Sequence, residues 1–570
     1  MQNKPGGTEQ VADPLRWRAL GVVLVASFMI LLDISIVNVA IPTIQTNIHT
    51  TNTEIEFVLV GYQMSYALML ITGGRLGDIF GRKRLFMLGV AGFTLASAAC
   101  GFSQSGVELV IARIVQGLFA ALMYPQVLSV IQVSFPPKER GAAFGMFGAV
   151  IGVATISGPL VGGILIKLGL LDGWRPIYLV NVPIGIGALF AASRMLHESK
   201  SPNAQRLDIP GTILATLALF LLVYPIVEGR DADWAPWTFI SMVASVPVFV
   251  VFAMYNARRA KGAGNPLIEP ALFGSRAFVV GLLVTAVFFA GIPSFFLTFS
   301  LWLQVGHLVN VVPGYGFDAF AAGLTTLPFS LCSAVASGMS IRLAPKIGKV
   351  ILQIGSVLFV VGMGLTLWIV HHYGGVDFHS YYLIPALGLS GLGLGCVAPP
   401  LINIVLAGIH HGHAGSASGV LTTTQQLGGA LGVAIVGVFF FGSLKTHAPV
   451  VSATRETTFQ ATLVSAGLPA PAAQQSAAKF TYCFDATAAE KDQTVVPPGC
   501  PNATHLCPAS TNQPVAVAFC NEVTVRQAVN FTHAFETALV SDIVIFAAVF
   551  LLVFFLPKAS LGRGGPPVKA

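Results

Sequence analysis

Between two long apolar runs the chain reads Gly74-Arg75-Leu76-Gly77-Asp78-Ile79-Phe80-Gly81-Arg82-Lys83-Arg84. Its glycines permit a sharp turn and a close approach of two helices. Its single carboxylate is placed to cap a helix and to pair with the neighbouring arginines. Taken alone, the stretch is also typical of a basic anchor on the cytoplasmic side of a membrane. It predicts two membrane-spanning helices joined by a tight cytoplasmic turn.

The composition extends this interpretation to the whole chain. Of 570 residues, 54% are hydrophobic and only 10% are charged, and the mean hydropathy is +0.77. An ordinary soluble domain carries about 25% charged residues. Lipid tolerates apolar surface, but it requires every backbone polar group to be satisfied within a helix or a closed barrel. Because the apolar runs are long, we expect an all-α polytopic membrane protein.

The net charge of +7 does not indicate a nucleic-acid partner. The basic residues are grouped in short segments between alternate apolar runs, as at 75–84, 258–261 and 342–349. This is the pattern of the positive-inside rule, which places such segments in the cytoplasm. The sequence therefore predicts a multi-pass protein of the cell (inner) membrane, with the lipid bilayer as its surroundings.

About 20 residues are needed to cross the hydrocarbon core. On that basis fourteen predicted helices lie near 18–42, 55–74, 85–103, 107–132, 141–168, 176–196, 209–228, 236–256, 276–302, 318–343, 350–370, 381–408, 415–444 and 535–557. The first run is too long for the apolar region of a signal peptide, so we keep it as predicted helix 1. Alternation of the loops then places both termini in the cytoplasm.

A weak internal sequence repeat indicates that the chain consists of two halves. Residues 76–85 carry Leu, Gly, Arg and Leu at positions where residues 343–352 carry Leu, Gly, Lys and Leu. Such repeats are typical of transporter folds. We therefore expect a cytoplasmic N-terminal tail (1–17), an N-terminal six-helix bundle (18–200), two inserted helices (201–262), a C-terminal six-helix bundle (263–557) containing an extracytoplasmic loop (445–531), and a cytoplasmic C-terminal tail (558–570).

The extracytoplasmic loop contains four of the seven cysteines, namely Cys483, Cys500, Cys507 and Cys520. In an oxidising compartment an even, closely spaced set predicts two disulfides, with three connectivities open. The alternative is a flexible loop with free or metal-poised thiols, although no C-x-x-C spacing supports zinc. The segment is rich in Ala, Thr, Pro and Gln, and we expect it to be too polar to build a core of its own.

Predicted helix 1 contains the carboxylate of Asp33 within an otherwise apolar run. A carboxylate in a membrane helix is costly unless it is paired or protonated, and it is therefore a functional candidate. Asp33 is the one intramembrane carboxylate that the predicted helices identify. We expect it to take up and release a proton, with a structural hydrogen-bonding role as the alternative.

The basic turn resembles the signature loop of the major facilitator superfamily, G-x-L-x-D-x-x-G-R-K/R. In that family the aspartate and its arginine partners form a latch between two helical bundles, against the start of the helix equivalent to predicted helix 13. The resemblance implies a conformational switch at Gly74, Asp78, Gly81, Arg82 and Lys83. The second-half repeat has Pro345 in place of the aspartate, so we expect a one-sided latch.

Two further motifs resemble the fourteen-helix drug:proton antiporter family of that superfamily. Residues 32–42, LDISIVNVAIP, are similar to its helix 1 motif, L-D-x-T-x-V-N-V-A-L-P, with Ser in place of Thr. Predicted helix 5 matches the antiporter signature g-x-x-x-G-P-x-x-G-G. The matching residues are Gly152, Gly158, Pro159, Gly162 and Gly163. Generic helix packing explains the glycines alone, whereas their order around the proline is typical of exporters.

Predicted helix 4 carries Arg113 in a segment similar to the family's l-x-x-x-R-x-x-q-G motif. At 1.5 Å per residue, Arg113 lies about 9 Å and Asp33 about 13 Å from the outer ends of their predicted helices. Because helices 1 and 4 line the cavity together in the superfamily fold, the resemblance implies an electrostatic link that protonation releases. The alternative is an arginine fixed to backbone carbonyls.

The resemblance implies two six-helix bundles with two inserted helices, and a proton-coupled antiporter of small lipophilic compounds. It implies no cofactor, no metal and no enzyme activity, since the proton gradient drives transport. Polar candidates for the substrate cavity are Asn38, Gln116, Gln304, Asn403, Gln425 and Gln426. With one intramembrane carboxylate identified, neutral, weakly acidic or monocationic substrates are favoured over dications.

Other functions stay open at this point. A dedicated metabolite exporter or an importer has the same fold, and a channel or membrane sensor belongs to a different class. An ATP-driven pump or membrane enzyme is disfavoured, because the chain lacks G-x-x-x-x-G-K-[ST], H-E-x-x-H and G-x-S-x-G. We expect a monomer, with an envelope adaptor protein as a candidate partner of the extracytoplasmic loop.

Overall fold

The computed structural model describes residues 15–135, 137–200, 207–229, 232–262, 266–305, 317–374, 378–406, 414–490, 497–500 and 513–557. All regular structure in these ranges is helical, with two short 3-10 turns at Pro270–Gly274 and Ser380–Leu383. The first half contains α1 (Arg16–Ile48), α2 (Asn52–Phe80), α3 (Arg82–Phe102), α4 (Gly106–Ser134), α5 (Pro137–Lys167), α6 (Pro176–Leu179) and α7 (Asn181–Met195).

The remaining helices follow in chain order. They are α8 (Ile209–Glu228), α9 (Pro236–Lys261), α10 (Arg276–Gln304), α11 (Ala319–Thr325), α12 (Leu327–Ile347), α13 (Val350–Tyr373), α14 (Ile384–Leu406), α15 (Ala414–Ser465), α16 (Ala470–Ala489) and α17 (Pro514–Phe555). Predicted helices 6 and 10 are each divided, into α6 with α7 and α11 with α12, and predicted helix 14 is α17.

Within the described ranges, thirteen helical stretches are long and apolar enough to cross a membrane. The apolar part of α5 counts only as a shorter segment, Ser157–Lys167. Each of the fourteen predicted helices overlaps a helix of the structure, but the number of fourteen membrane crossings stays a prediction. The all-α polytopic fold is confirmed.

The transmembrane helices form two bundles. In the first, α1 packs against α4, α5 and α7, and α4 packs against α2 and α3. In the second, α10 packs against α14, α15 and α17, and α14 packs against α12 and α13. The bundles meet where α2 contacts α15 and where α5 contacts α11. The helix pair α8–α9 joins them through contacts of α8 with α2 and α15.

Local capping explains how the first two membrane helices connect. Thr51 is the N-cap of α2, and its hydroxyl accepts a hydrogen bond from the Glu54 N–H at 3.1 Å. The Glu54 carboxylate accepts the Thr51 N–H at 2.8 Å in return. This reciprocal capping box satisfies two backbone donors that a helix start otherwise leaves unpaired. The turn between α1 and α2 is therefore short and fixed.

In the described residues of the predicted extracytoplasmic loop, most of the chain is helical, in contrast to the irregular loop expected from the sequence. The helix α15 has 52 residues and α17 has 42, so they measure about 78 Å and 63 Å at 1.5 Å per residue. Both are much longer than the roughly 30 Å hydrocarbon core. Their outer ends enclose α16, and the three helices share a small core. It includes Phe459, Leu463, Ala473, Ala477, Phe480 and Ala518.

The expectation that this segment lacks a core was wrong because three amphipathic helices need only one apolar stripe each. Two kinds of polar contact reinforce the extension. Glu522 accepts hydrogen bonds from Arg455 and from Arg526, each at 3.0 Å or less. Ser452 on α15 donates to Asp485 on α16 at 2.6 Å. Ion pairs and packing thus join all three helices.

Disulfide bonding adds a covalent link to the extension. Cys483 and Cys500 are bonded to each other, with their Cα atoms 5.5 Å apart. Cys520 is also disulfide-bonded, and Cys507 lies outside the described residues. Of the three connectivities left open by the sequence, the structure therefore selects the one that pairs the first two cysteines.

Candidate functional site

Asp33 and Arg113 form a buried ion pair between α1 and α4. The Arg113 guanidinium Nη1 donates to Asp33 Oδ2 at 2.5 Å, and the two side chains are 2% and 0% exposed. The residues are 80 positions apart in sequence. The similar depth of the two residues in their predicted helices suggested an electrostatic link. In the structure the two side chains are in direct contact.

Two amides complete the hydrogen bonding of the Asp33 carboxylate. Gln116 Nε2 and Asn181 Nδ2 both donate to its other oxygen, Oδ1, at 2.9 Å and 3.0 Å. Asn181 lies on α7, and its amide also donates to Ser97 on α3 at 3.0 Å. The carboxylate therefore holds α1, α4 and α7 together at one point. The role of Asn181 was not predicted, although an amide in an apolar run is a recognisable signal.

Arg113 keeps partners of its own besides Asp33. Its guanidinium donates to Gln116 Oε1 at 2.7 Å and to the Val58 carbonyl at 3.2 Å. It also lies over the ring of Tyr62, 4.1 Å from the centroid, in the geometry of a cation–π contact. These neutral contacts would hold the guanidinium in place if the carboxylate lost its charge.

This arrangement suits proton exchange better than it suits stability. A buried ion pair is weak evidence for stabilisation, because desolvation offsets most of the Coulomb attraction. Protonation of Asp33 would remove the charge that attracts Arg113 and would weaken the junction of the three helices. Binding one proton could therefore change how α1 packs against α4 and α7.

A small cavity of about 40 Å³ lies beside this junction, where the two bundles face each other. It is lined by Ser35, Asn38, Val39, Pro159, Phe296, Phe299, Ser300, Leu303, Ala322 and Thr326. None of these lining residues is ionisable. The lining combines two aromatic rings with hydroxyl and amide groups, which is a typical composition for a small-molecule site.

Asn38 supplies a free acceptor to the cavity. Its Nδ2 donates to the Ile34 carbonyl at 3.2 Å, whereas its buried Oδ1 has no hydrogen-bond partner. Such a group usually finds a partner, so a ligand donor is a natural one. Because Asp33 and Asn38 belong to the same helix, α1 presents one side chain to the ion pair and the other to the cavity.

Contacts between the bundles lie next to the cavity lining. Gln304, at the end of α10, donates to the Val39 carbonyl of α1 at 3.0 Å and to Ser300 at 2.8 Å. Close backbone packing of α5 against α11 lies beside it: a Cβ added at Gly163 would lie 2.5 Å from the Phe320 Cα. Gln304 therefore links α10 to α1 through hydrogen bonds to two residues of the cavity lining.

The other antiporter-motif residues of α5 face α1. A Cβ at Gly158 would lie 1.9 Å from Ser35 Oγ and 3.0 Å from the Ile36 backbone nitrogen, and one at Gly162 would lie 2.8 Å from the Ile36 side chain. Pro159 lines the cavity, and Gly152 precedes these residues on α5. The motif thus sets the distance between α1 and α5.

The basic turn is folded around two carboxylates. Asp78 Oδ1 accepts a hydrogen bond from Arg82 Nη2 at 2.8 Å. Gly81 has φ +114°, a conformation that side chains disfavour. Glu198, which the sequence analysis did not identify, accepts the Lys83 backbone N–H at 3.1 Å.

Contacts from this turn reach beyond the first bundle. Arg75 donates to the carbonyls of Pro266 and Leu267, just before the second bundle, and Gly74 packs near Pro125. On the partner helix of the predicted latch, Thr423 of α15 donates to the Ala67 carbonyl of α2 at 3.1 Å. A contact of Asp78 with the start of α15 stays a prediction.

The remaining cavity candidates lie elsewhere in the described structure. Gln116 belongs to the Asp33 junction, and Asn403 is exposed on α14. Gln425 and Gln426 are half-buried on α15 and are not among the residues that line the cavity. Of the six polar candidates, Asn38 is the one in the lining.

The statement that Asp33 is the single intramembrane carboxylate was wrong. Asp542, in α17, is fully buried, and its Oδ1 lies 3.1 Å from Ser294 Oγ of α10. It lies within predicted helix 14, so the signal was present in the sequence. It was missed because no motif draws attention to it.

Similarity to known proteins agrees with this architecture. The chain is 36% identical over 557 residues to the probable actinorhodin transporter of Streptomyces coelicolor. The matched region covers 97% of this chain and 94% of that protein. It is 33% identical to the tetracenomycin C resistance and export protein of Streptomyces glaucescens, over 74% of this chain and 75% of that protein. It is also 33% identical to a puromycin resistance protein of Streptomyces alboniger, over 77% and 84%.

Solved structures share the fold at low sequence identity. A peptide transporter of the POT family matches with TM-score 0.55 and 16% identity over 86% of this chain and 99% of that chain. The xylose transporter XylE of E. coli matches with TM-score 0.51 and 12% identity over 74% and 92%. The model of the Major Facilitator Superfamily matches residues 23–433. This multi-pass membrane protein therefore belongs to the Major Facilitator Superfamily.

Proposed function

We propose that the protein is a proton-coupled antiporter that exports small lipophilic compounds by alternating access. The observation that carries the proposal is the position of α1. Its Asp33 lies in a buried ion pair with Arg113, while its Ser35 and Asn38 line the cavity. Proton binding and substrate binding therefore act on one helix, which is the physical requirement for coupling the two.

The lining favours uncharged or weakly acidic aromatic substrates that carry hydrogen-bond donors. Phe296 and Phe299 offer ring faces, and Asn38 Oδ1 offers an unpartnered acceptor. A strongly cationic substrate would meet no counter-charge among the lining residues. The names of the relatives, which refer to actinorhodin, tetracenomycin C and puromycin, support export of antibiotics as the general role.

Reconstitution in liposomes tests the proposal. Purified protein is placed in vesicles with an acidic interior, and uptake of tetracenomycin C and of puromycin is followed together with the internal pH. We expect uptake only while the pH gradient is present, accompanied by a rise of internal pH. Empty vesicles are the control for passive partition of the probes.

The alternatives give different results in this assay. A channel would pass ions without a probe and would not accumulate one. A dedicated metabolite exporter would leave both antibiotics untransported while retaining proton coupling to its own substrate. Probe movement independent of the pH gradient would contradict the proposal.

A further inference from the structure

We propose that Asp542 is a second proton-carrying carboxylate of the transport cycle, held as a neutral acid in the second bundle. This inference rests on the proposed function of proton-coupled export. It concerns the contact between α10 and α17, which the motifs of the sequence do not cover.

The geometry around Asp542 differs from that around Asp33. The Asp542 side chain is fully buried, its Oδ1 is 3.1 Å from Ser294 Oγ, and its Oδ2 has no hydrogen-bond partner. Asp33 by contrast has an arginine and two amide donors. Within the described part of the chain, Asp542 forms no ion pair. Burial of a charge without a partner is strongly unfavourable, so a neutral carboxylic acid is the favoured form in this position.

The hydrogen bonds of Ser294 support the neutral form. Its hydroxyl has a single proton, yet it lies 2.9 Å from the Ala290 carbonyl, 3.1 Å from the Gly291 carbonyl and 3.1 Å from Asp542. When that proton goes to a backbone carbonyl, the Ser294 oxygen becomes an acceptor. A protonated Asp542 supplies the matching donor, whereas an ionised one would compete with the carbonyls.

The surroundings on the second bundle are aromatic. One turn along α17 from Asp542, the ring of Phe546 lies 3.8 Å from that of Phe359 on α13 and 5.7 Å from that of Phe288 on α10, measured between centroids. The hydrogen-bond partner of the Asp542 side chain is thus a neutral serine of α10, and the neighbouring turn of α17 packs among apolar rings. Nothing in this part of the structure compensates a charge, so ionisation requires movement of α10 or entry of water.

The position relates Asp542 to Asp33. Asp33 lies between α1 and α7, the first and last helices of the first bundle, through its contact with Asn181. Asp542 lies between α10 and α17, the first and last helices of the second bundle. Helical spacing places Ser294 on the side of α10 opposite to Phe299 and Leu303, which line the cavity. A change of protonation at Asp542 would therefore alter the packing of α10 on the face turned away from the cavity. Asp33 has the corresponding relation to α1.

The chemical step is a simple exchange. When α10 moves and water reaches the carboxyl group of Asp542, the neutral acid transfers its proton to water and leaves a carboxylate; the reverse step restores the buried acid. With one proton at each carboxylate, we expect two protons to be exchanged for each substrate molecule.

Infrared spectroscopy tests the protonation state without any substrate. The full-length protein in liposomes should show the carbonyl band of a protonated carboxylic acid at neutral pH, and this band should shift in D₂O. Asp542→Asn should remove it, and Asp33→Asn should not, because the Asp33 carboxylate is paired with the Arg113 guanidinium. Ser294→Ala, which keeps the acid but removes its hydroxyl partner, should shift the band. A band unaffected by both Asp542→Asn and Ser294→Ala would overturn the inference.

The proton count is the second measurement. With the membrane potential clamped at zero and a gradient of one pH unit, each coupled proton contributes about a tenfold limit to the accumulation ratio. Puromycin accumulation should approach 100-fold for the unaltered protein and about tenfold for Asp542→Asn. Equal ratios would overturn the role in coupling. Absence of pH-driven accumulation by the unaltered protein would contradict the proposed function instead, and the infrared result would still decide the state of Asp542.

Discussion

The Asp33–Arg113 pair makes a single substitution informative about coupling. Asp33→Asn keeps the size of the side chain but leaves Arg113 buried without a counter-charge, at about 3–5 kcal/mol. We expect loss of pH-driven export with protein still in the membrane and a lowered melting temperature. Transport in liposomes and thermal unfolding in detergent measure the two effects.

A matched double variant separates coupling from stability. Asp33→Asn combined with Arg113→Gln removes both charges, so it should recover melting temperature without recovering pH-driven export. Unchanged proton-coupled transport by the single variant would exclude Asp33 from the mechanism.

Under the proposed function, we expect Asn38 to take part in substrate recognition, because it lines the cavity and its Oδ1 is an unpartnered acceptor. Asn38→Leu removes the acceptor while preserving volume. A hydrogen bond contributes about 0.5–1.5 kcal/mol, so a hydroxyl-bearing probe should lose up to about tenfold in apparent affinity. Competition by 1-naphthol and by 1-methoxynaphthalene against puromycin uptake provides the comparison. Equal losses for both probes would show that Asn38 acts by shape instead.

At the scale of the elements, the contact between α1 and α5 decides whether the bundle closes. Gly158→Leu should abolish export, since its side chain would enter the space of Ser35 and the α1 backbone. Gly338→Leu is the matched control, because a Cβ there meets nothing within 4 Å. Efflux is compared at equal amounts of membrane protein.

A compensating change sharpens this experiment. Gly158→Ala should reduce export, and Ser35→Gly added to it should recover part of the loss by clearing the Ser35 side chain. Normal efflux by a well-expressed Gly158→Leu protein would contradict a role of the glycine–proline motif in export.

At the scale of the whole molecule, we expect the extension formed by α15, α16 and α17 to act as a separate stabilising unit, because it has its own small core. The Cys483–Cys500 disulfide closes a short loop, which corresponds to about 2–4 kcal/mol. Cys483→Ser should increase proteolysis and amide hydrogen exchange in α16 while leaving the transmembrane helices protected. Cys332→Ser, at a free cysteine of α12, is the control. Mass spectrometry that finds Cys483 and Cys500 alkylated without reductant would contradict the bond.

Sequence alone determined the membrane class and the approximate positions of the membrane helices, and it identified Asp33 as a carboxylate within an apolar helix, because hydropathy, charge bias and an isolated carboxylate are local signals. It also located the basic turn and the glycines of α5. Only the tertiary structure decided which groups meet: Asp33 with Asn181, 148 residues away, and Asp542 with Ser294, 248 residues away. It also decided that residues 445–531 contribute helices with a shared core. These features depend on which helix faces become neighbours, and the spacing of residues along one helix does not contain that information.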